Sequence, residues 1–161
     1  MRARFVLLGA ALTIGLAACG GGSGSDKAAK PAANAGAGHA AAGSASVKVS
    51  TSSLGSILTD QSGRTLYAFT NDKGGTSSCT AGCIATWPAL ASKKKVTAAA
   101  GVNPALLKET KRAEGTSQAT YGDWPLYYYV GDMGPGDVDG QGVDGVWFVV
   151  GADGKLIKTG R

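Results

Sequence analysis

From Val47 onward the chain is written in short runs of alternating and β-branched apolar residues: SVKVST, GSILTD, RTLYAFT, SQATY, PLYYYV, VWFVV and KLIKT. The interruptions DQSG, GD and GADG hold the Gly, Asp and Ser that turns require, so the runs read as strands joined in hairpins. NPALLKETKR is open to two readings. It could begin a short helix with Asn103 as N-cap and Pro104 in the first turn, or lead into a hairpin over EGTS. The pattern predicts a mainly β, antiparallel domain over residues 47–161.

Upstream of Val47 the pattern changes twice. Arg2 and Arg4 precede the apolar run FVLLGAALTIGLAA, which has the order of an export signal and is short for a membrane-spanning helix. Then GGGSGSDKAAKPAANAGAGHAAAGSAS runs for 27 residues without an aromatic residue or a Leu, Ile, Val or Met. Such a segment cannot offset its ordering entropy by burial and is expected to be a flexible tether with its ends roughly 30 Å apart. His39, the chain's only histidine, falls in this tether, where it reads as solvated.

The apolar run ends in LAACG, which resembles the bacterial lipoprotein signal, with small Ala17 and Ala18 before the cysteine that is acylated. The resemblance implies a signal peptide over residues 1–18, an acylated N-terminal Cys19 and a tether over residues 19–46. The alternative is an ordinary secretory peptide with an incidental cysteine. Three cysteines would leave one unpaired in an exported protein, and acylation of Cys19 leaves Cys79 and Cys83 as an even pair. More than one acyl chain anchors stably where one would not. The expected location is the outer side of a bacterial cell membrane, tethered by lipid.

An offset of 60 residues superimposes Leu66 on Leu126, Tyr67 on Tyr127, Phe69 on Tyr129, Asp72 on Asp132, Gly74 on Gly134, Gly82 on Gly142 and Trp87 on Trp147. LYYYVGD is therefore a second copy of LYAFTND, and two copies are expected to pair into one core. These residues, with SCTAGCIATWPAL and GQGVDGVWFVV, resemble the secreted repeat family with a Tyr-x4-Asp motif found in bacterial lipoproteins. The resemblance implies location and architecture; it brings no reaction and no catalytic residue.

Along a strand Tyr67 and Phe69 share one face, as do Tyr127 and Tyr129, while Leu126 and Tyr128 take the other. Asp72 and Asp132 each precede a glycine by two residues, a spacing that suits an Asx-type turn in which the carboxylate accepts a backbone N–H. The motif reads as scaffold, and equivalent substitutions in the two copies are expected to have similar effects. A ligand or redox role for the tyrosines is the competing reading.

Chemistry-bearing residues are sparse. Residues 47–161 contain no histidine, which excludes within them a Ser-His-Asp or Cys-His mechanism and a His-ligated metal. No glycine-rich phosphate loop is present. The protein is therefore expected not to be an enzyme. CTAGC could form a small disulfide loop, a redox-active dithiol or a soft-metal site, although Met133 is the only methionine after the leader. Asp137, Asp139 and Asp144 in GDMGPGDVDGQGVDG are weak candidates for a Ca²⁺ site, lacking the bidentate Glu of an EF-hand. No cofactor is otherwise expected.

The formal charge is +5 and falls to +3 without Arg2 and Arg4. KKK at residues 93–95 and KETKR at residues 108–112 read as solvated basic loops that could lie against anionic lipid or wall polymer. An exported protein is not expected to bind nucleic acid. Two function classes remain: a non-enzymatic envelope lipoprotein that binds or organises an unidentified envelope partner, and a redox or metal-handling lipoprotein using Cys79, Cys83 and the tyrosines.

Overall fold

The computed structural model describes residues 45–160, so Cys19, the leader, His39 and the tether up to residue 44 lie outside the described residues. The described chain is mainly β. Strand β1 (Ser46–Ser52) turns at Ser53 and Leu54 into β2 (Gly55–Asp60), in register from Val47↔Asp60 to Ser52↔Gly55. Strand β3 (Tyr67–Phe69) follows, then α1 (Gly82–Thr86), a single short helix, and β4 (Ala91–Ser92). Strand β5 (Thr97–Ala98) lies parallel to β1. A second hairpin joins β6 (Leu107–Lys111) to β7 (Ser117–Tyr121), with β8 (Trp124–Pro125) folding back on β7. A one-turn 3-10 segment (Val143–Gly145) leads into β9 (Trp147–Val149). The first strand begins at Ser46, one residue before the boundary expected from the sequence.

NPALLKETKR takes the hairpin. Asn103 still uses its side chain locally, accepting the Ala105 N–H at 3.0 Å, but this closes a turn and Leu107–Lys111 then pairs with β7. Strand pairing supplies five cross-strand partners there, and a ten-residue isolated helix is marginal in water. KLIKT forms a single bridge, Val150↔Leu156, and no full strand.

The two copies interlock. Beyond each tryptophan the chain leaves its own copy and pairs with the other. Thus β9 of the second copy pairs with β3 of the first (Tyr67↔Val149), and sixty residues apart Ala89 of the first copy bridges Tyr127 of the second. The crossing starts one residue before each tryptophan, with Thr70 N–H to Val146 O (2.9 Å) and Val130 N–H to Thr86 O (3.1 Å). It recurs at the sheet edges, where Ile57 bridges Gly151 and β4 pairs with β7 through Ala91↔Gln118.

Because the central strands are covered on both sides, both faces of the tyrosine run are core. Leu66, Ala68 and Leu126, with Tyr128 at its margin, pack with Val47, Leu58 and Tyr121. Tyr67 and Tyr127, with Phe69 and Tyr129, pack with Trp87, Trp147 and Cys79. Strand β2 shows the same condition, with Ile57 in the second cluster and Leu58 in the first. No helix among the described residues is long and apolar enough to cross a membrane.

Candidate functional site

The motif residues meet at the centre of the domain. Tyr67 and Tyr127 face each other as a closed antiparallel pair, N–H to O at 2.8 and 2.9 Å, and both are fully buried. Their hydroxyls then cross over. Tyr67 donates to Asp132 of the second copy (2.9 Å to Oδ2), while Tyr127 donates to Asp72 of the first (2.6 Å to Oδ2). Each Tyr-x4-Asp motif is therefore completed by the other copy's acid.

Behind the tyrosines the aromatic rings form a continuous pile. Trp87 and Trp147 stack at 3.9 Å with planes 3° apart, Phe69 lies on the outer face of Trp147 at 4.4 Å, and Tyr129 lies on Trp87 at 4.4 Å. The edges of Tyr67 and Tyr127 meet Trp87 and Trp147 at 5.5 and 5.2 Å. Gly140 closes this cluster. Its N–H donates to the Tyr67 hydroxyl at 3.2 Å, and a Cβ there would lie 2.8 Å from the Tyr67 ring and 2.9 Å from Trp87, so only glycine lets the backbone come this close.

The two carboxylates differ in surroundings. Asp72, 2% exposed, accepts the Ser78 N–H and hydroxyl, both at 2.7 Å, as well as Tyr127. Ser77 touches the Tyr127 hydroxyl at 2.7 Å and accepts from Arg112 at 2.9 Å. Arg112 also donates to Gln118 Oε1 (2.7 Å) and Cys79 O (3.0 Å) and pairs with Glu114, so a cation backs this side of the core. On the other side Asp132 is half-buried and accepts Tyr67 and the Asp139 N–H (3.1 Å), with Asp139 and Asp137 as neighbours. Neither acid makes the Asx-type turn expected from the spacing. Each accepts a backbone N–H from six or seven residues ahead and so closes a longer loop.

Loss of hydration pushes the Asp132 carboxyl up to about 6; the hydrogen bonds from Tyr67 and Asp139 pull it down, and the charges of Asp139 and Asp137 add to the rise. Burial first, and then the facing carboxylate, pushes both the Tyr67 and Tyr127 hydroxyls above the ordinary phenol range, so both remain protonated donors. For an acid whose folded-state pKa is raised, the proton binds the folded form more tightly. Its stabilising contribution is complete below about pH 4 and is lost as pH rises through about 6. Denaturant midpoints of wild type and Asp132→Asn measured at pH 4 and pH 7.5 should therefore show wild type losing more stability than the variant over this window. Parallel pH profiles would refute the assignment.

Cys79 and Cys83 are bonded, with Cα atoms 5.3 Å apart, across the start of α1. Cys79 is fully buried against the aromatic cluster. The weak calcium candidates do not come together: Asp137 caps the Met133 and Gly134 N–H groups, and no group of three or more His, Cys, Asp or Glu with metal-binding geometry occurs among the described residues. Clefts open on the surface of the described residues. One of about 460 Å³ is lined by Thr70, Lys73, Trp124, Gly154, Lys155, Leu156 and Lys158, and one of about 430 Å³ includes Leu54, Val138, Asp139 and Gln141. Ser77, Gln118 and the three cleft lysines have no signal in the sequence pattern, and Arg112 reads there only as part of a solvated basic run.

The model of a family described as a secreted repeat of unknown function, Lipoprotein_15, matches this chain twice, over residues 48–91 and 108–151. No curated protein and no solved structure matches the chain.

Proposed function

Since the chain belongs to this family of secreted repeats, we propose that it is an extracytoplasmic lipoprotein, anchored by acyl chains on Cys19, whose duplicated β domain binds or organises a component of the cell envelope without catalysing a reaction. The observation that carries this reading is the crossed Tyr–Asp pairing. The groups with most chemical potential, two phenols and two carboxylates, are each other's partners at the buried centre and hold the copies together. What remains for a partner is the outer surface. The disulfide fits the same role, since it is packed into the aromatic cluster and lines neither of the two clefts.

Two measurements test the reading separately. Wild type should partition into detergent and take up an acyl label, whereas Cys19→Ser should do neither. The chain from residue 20 onward, made without the leader and Cys19 and mixed with isolated envelope fragments, should still co-sediment with them. Protein that stays wholly in the supernatant would overturn the binding role, and an unlabelled wild type would overturn the anchor.

A further inference from the structure

We propose that the cleft formed by Lys73, Trp124, Lys155 and Lys158 is a binding site for a phosphate group carried on a small polyol or sugar. This deepens the binding role above and rests on it. The three lysines are scattered over the sequence and come from the loop after β3 and from the C-terminal segment after β9, yet they line one concavity of about 460 Å³. That is within the range of small-molecule sites. No carboxylate among the described residues lines it.

The walls are partly fixed before any ligand arrives. The Lys73 ammonium donates to Thr70 O at 3.1 Å. Trp124 and Leu156 pack against the hydrophobic core with part of their surface and line the cleft with another. The Lys158 ammonium lies 5.9 Å from the Phe148 ring centroid. The acid paired with the group is Asp153, 3.5 Å from the Lys155 ammonium, and that pair is widely exposed and weak. Ammonium groups around one concavity repel each other, and an anion with several oxygens relieves that repulsion while accepting from each. Trp124 lines the same cleft, and its indole is an apolar surface against which the carbon skeleton bearing the phosphate would pack.

The duplication supplies an internal control. Sixty residues after Thr70 and Lys73 stand Val130 and Met133, the exposed large hydrophobic residues of the described domain, with Met133 89% exposed. The same framework thus stands without a cation at the equivalent place. Lys73 is not required by the fold.

The test uses the mature protein in non-ionic detergent, with glycerol 3-phosphate as probe and the indole N–H resonances as reporters. Trp124 should shift and saturate, while Trp87 and Trp147, buried in the stack, should stay still and show that the fold is intact. Changing Lys73, Lys155 and Lys158 together to Gln should weaken binding by at least about tenfold, as expected when three charged contacts are lost. Changing the lysines at residues 93–95 to Gln removes the same charge and should leave binding unchanged. No Trp124 shift at about 10 mM probe, or equal loss in both triple variants, would overturn the proposal. Competition by short-chain phosphatidylglycerol in the same micelles, and not by short-chain phosphatidylcholine, would support it and assign the phosphate to a lipid headgroup; probe binding without competition would support it and assign the phosphate to a non-lipid envelope component. If the cleft variant still co-sediments with envelope fragments as wild type does, the cleft is overturned as the contact and the binding role stands without it.

Discussion

Trp147→Ala should remove about 3–5 kcal/mol from the stability of the domain. The indole is 3% exposed and has Trp87 on one face, Phe69 on the other and the edge of Tyr127 against it. Removing a buried aromatic side chain costs about 3–5 kcal/mol through lost burial and the cavity left behind. Domains of this size have a total stability of about 5–15 kcal/mol. Trp87→Ala should cost the same to within about 1 kcal/mol, because its stacking on Tyr129 and edge contact with Tyr67 repeat the arrangement. The double variant should lose less than the sum, since each single change already removes the Trp–Trp contact. Urea melts followed by circular dichroism decide this; a Trp147→Ala protein less than about 1 kcal/mol below wild type would show that the pile is not the core of the fold.

The second large effect breaks the equality expected from the repeat. Asp72→Ala should cost about 3–5 kcal/mol at pH 7, and Asp132→Ala about 1 kcal/mol. Asp72 is almost fully buried and accepts the Tyr127 hydroxyl and the Ser78 N–H and hydroxyl; its loss takes the charged acceptor from all three and leaves the buried Tyr127 hydroxyl with Ser77 alone, with Arg112 close behind. Asp132 is half-buried, has Asp137 and Asp139 as neighbours, and above pH 6 is ionised in a place that disfavours its charge. Water can replace it. Equal losses in paired melts would mean that the Arg112 and Ser77 surroundings add nothing to the Asp72 side.

Much of this was legible from spacing. The hairpins of β1 with β2 and of β6 with β7, the duplication and the cysteine pair follow from alternation, turn residues and the offset of 60, whereas PLYYYV beyond Pro125 and KLIKT, read as strands, form only isolated bridges at Tyr127 and Leu156. Which acid each tyrosine uses did not follow, because superposition shows that positions are equivalent and not which copy supplies the contact. Distance was the available clue: five residues of extended chain span about 16 Å, beyond the reach of a phenol, so Tyr67 needs an acid from elsewhere. Arg112 read as part of a solvated basic run, yet its side chain is 7% exposed, because only the folded core supplies Ser77, Gln118 and Cys79 O as acceptors. The helix Gly82–Thr86 is five residues long and carries no amphipathic period to detect; the chain enters it through Ala81 at a positive φ. The lysine cleft is assembled by topology, and no local pattern announces it.

The exchange of the segments after Trp87 and Trp147 sets a timetable for the chain as it emerges. The first copy cannot pair β3 until β9 exists, and Ile57 waits for Gly151, so the N-terminal half leaves the export machinery with its central strand open and Tyr67 uncovered. Closure depends on contacts between residues far apart in sequence, the kind that form slowly. A chain truncated before Trp147 would lose partners from both halves at once and remain a protease substrate throughout.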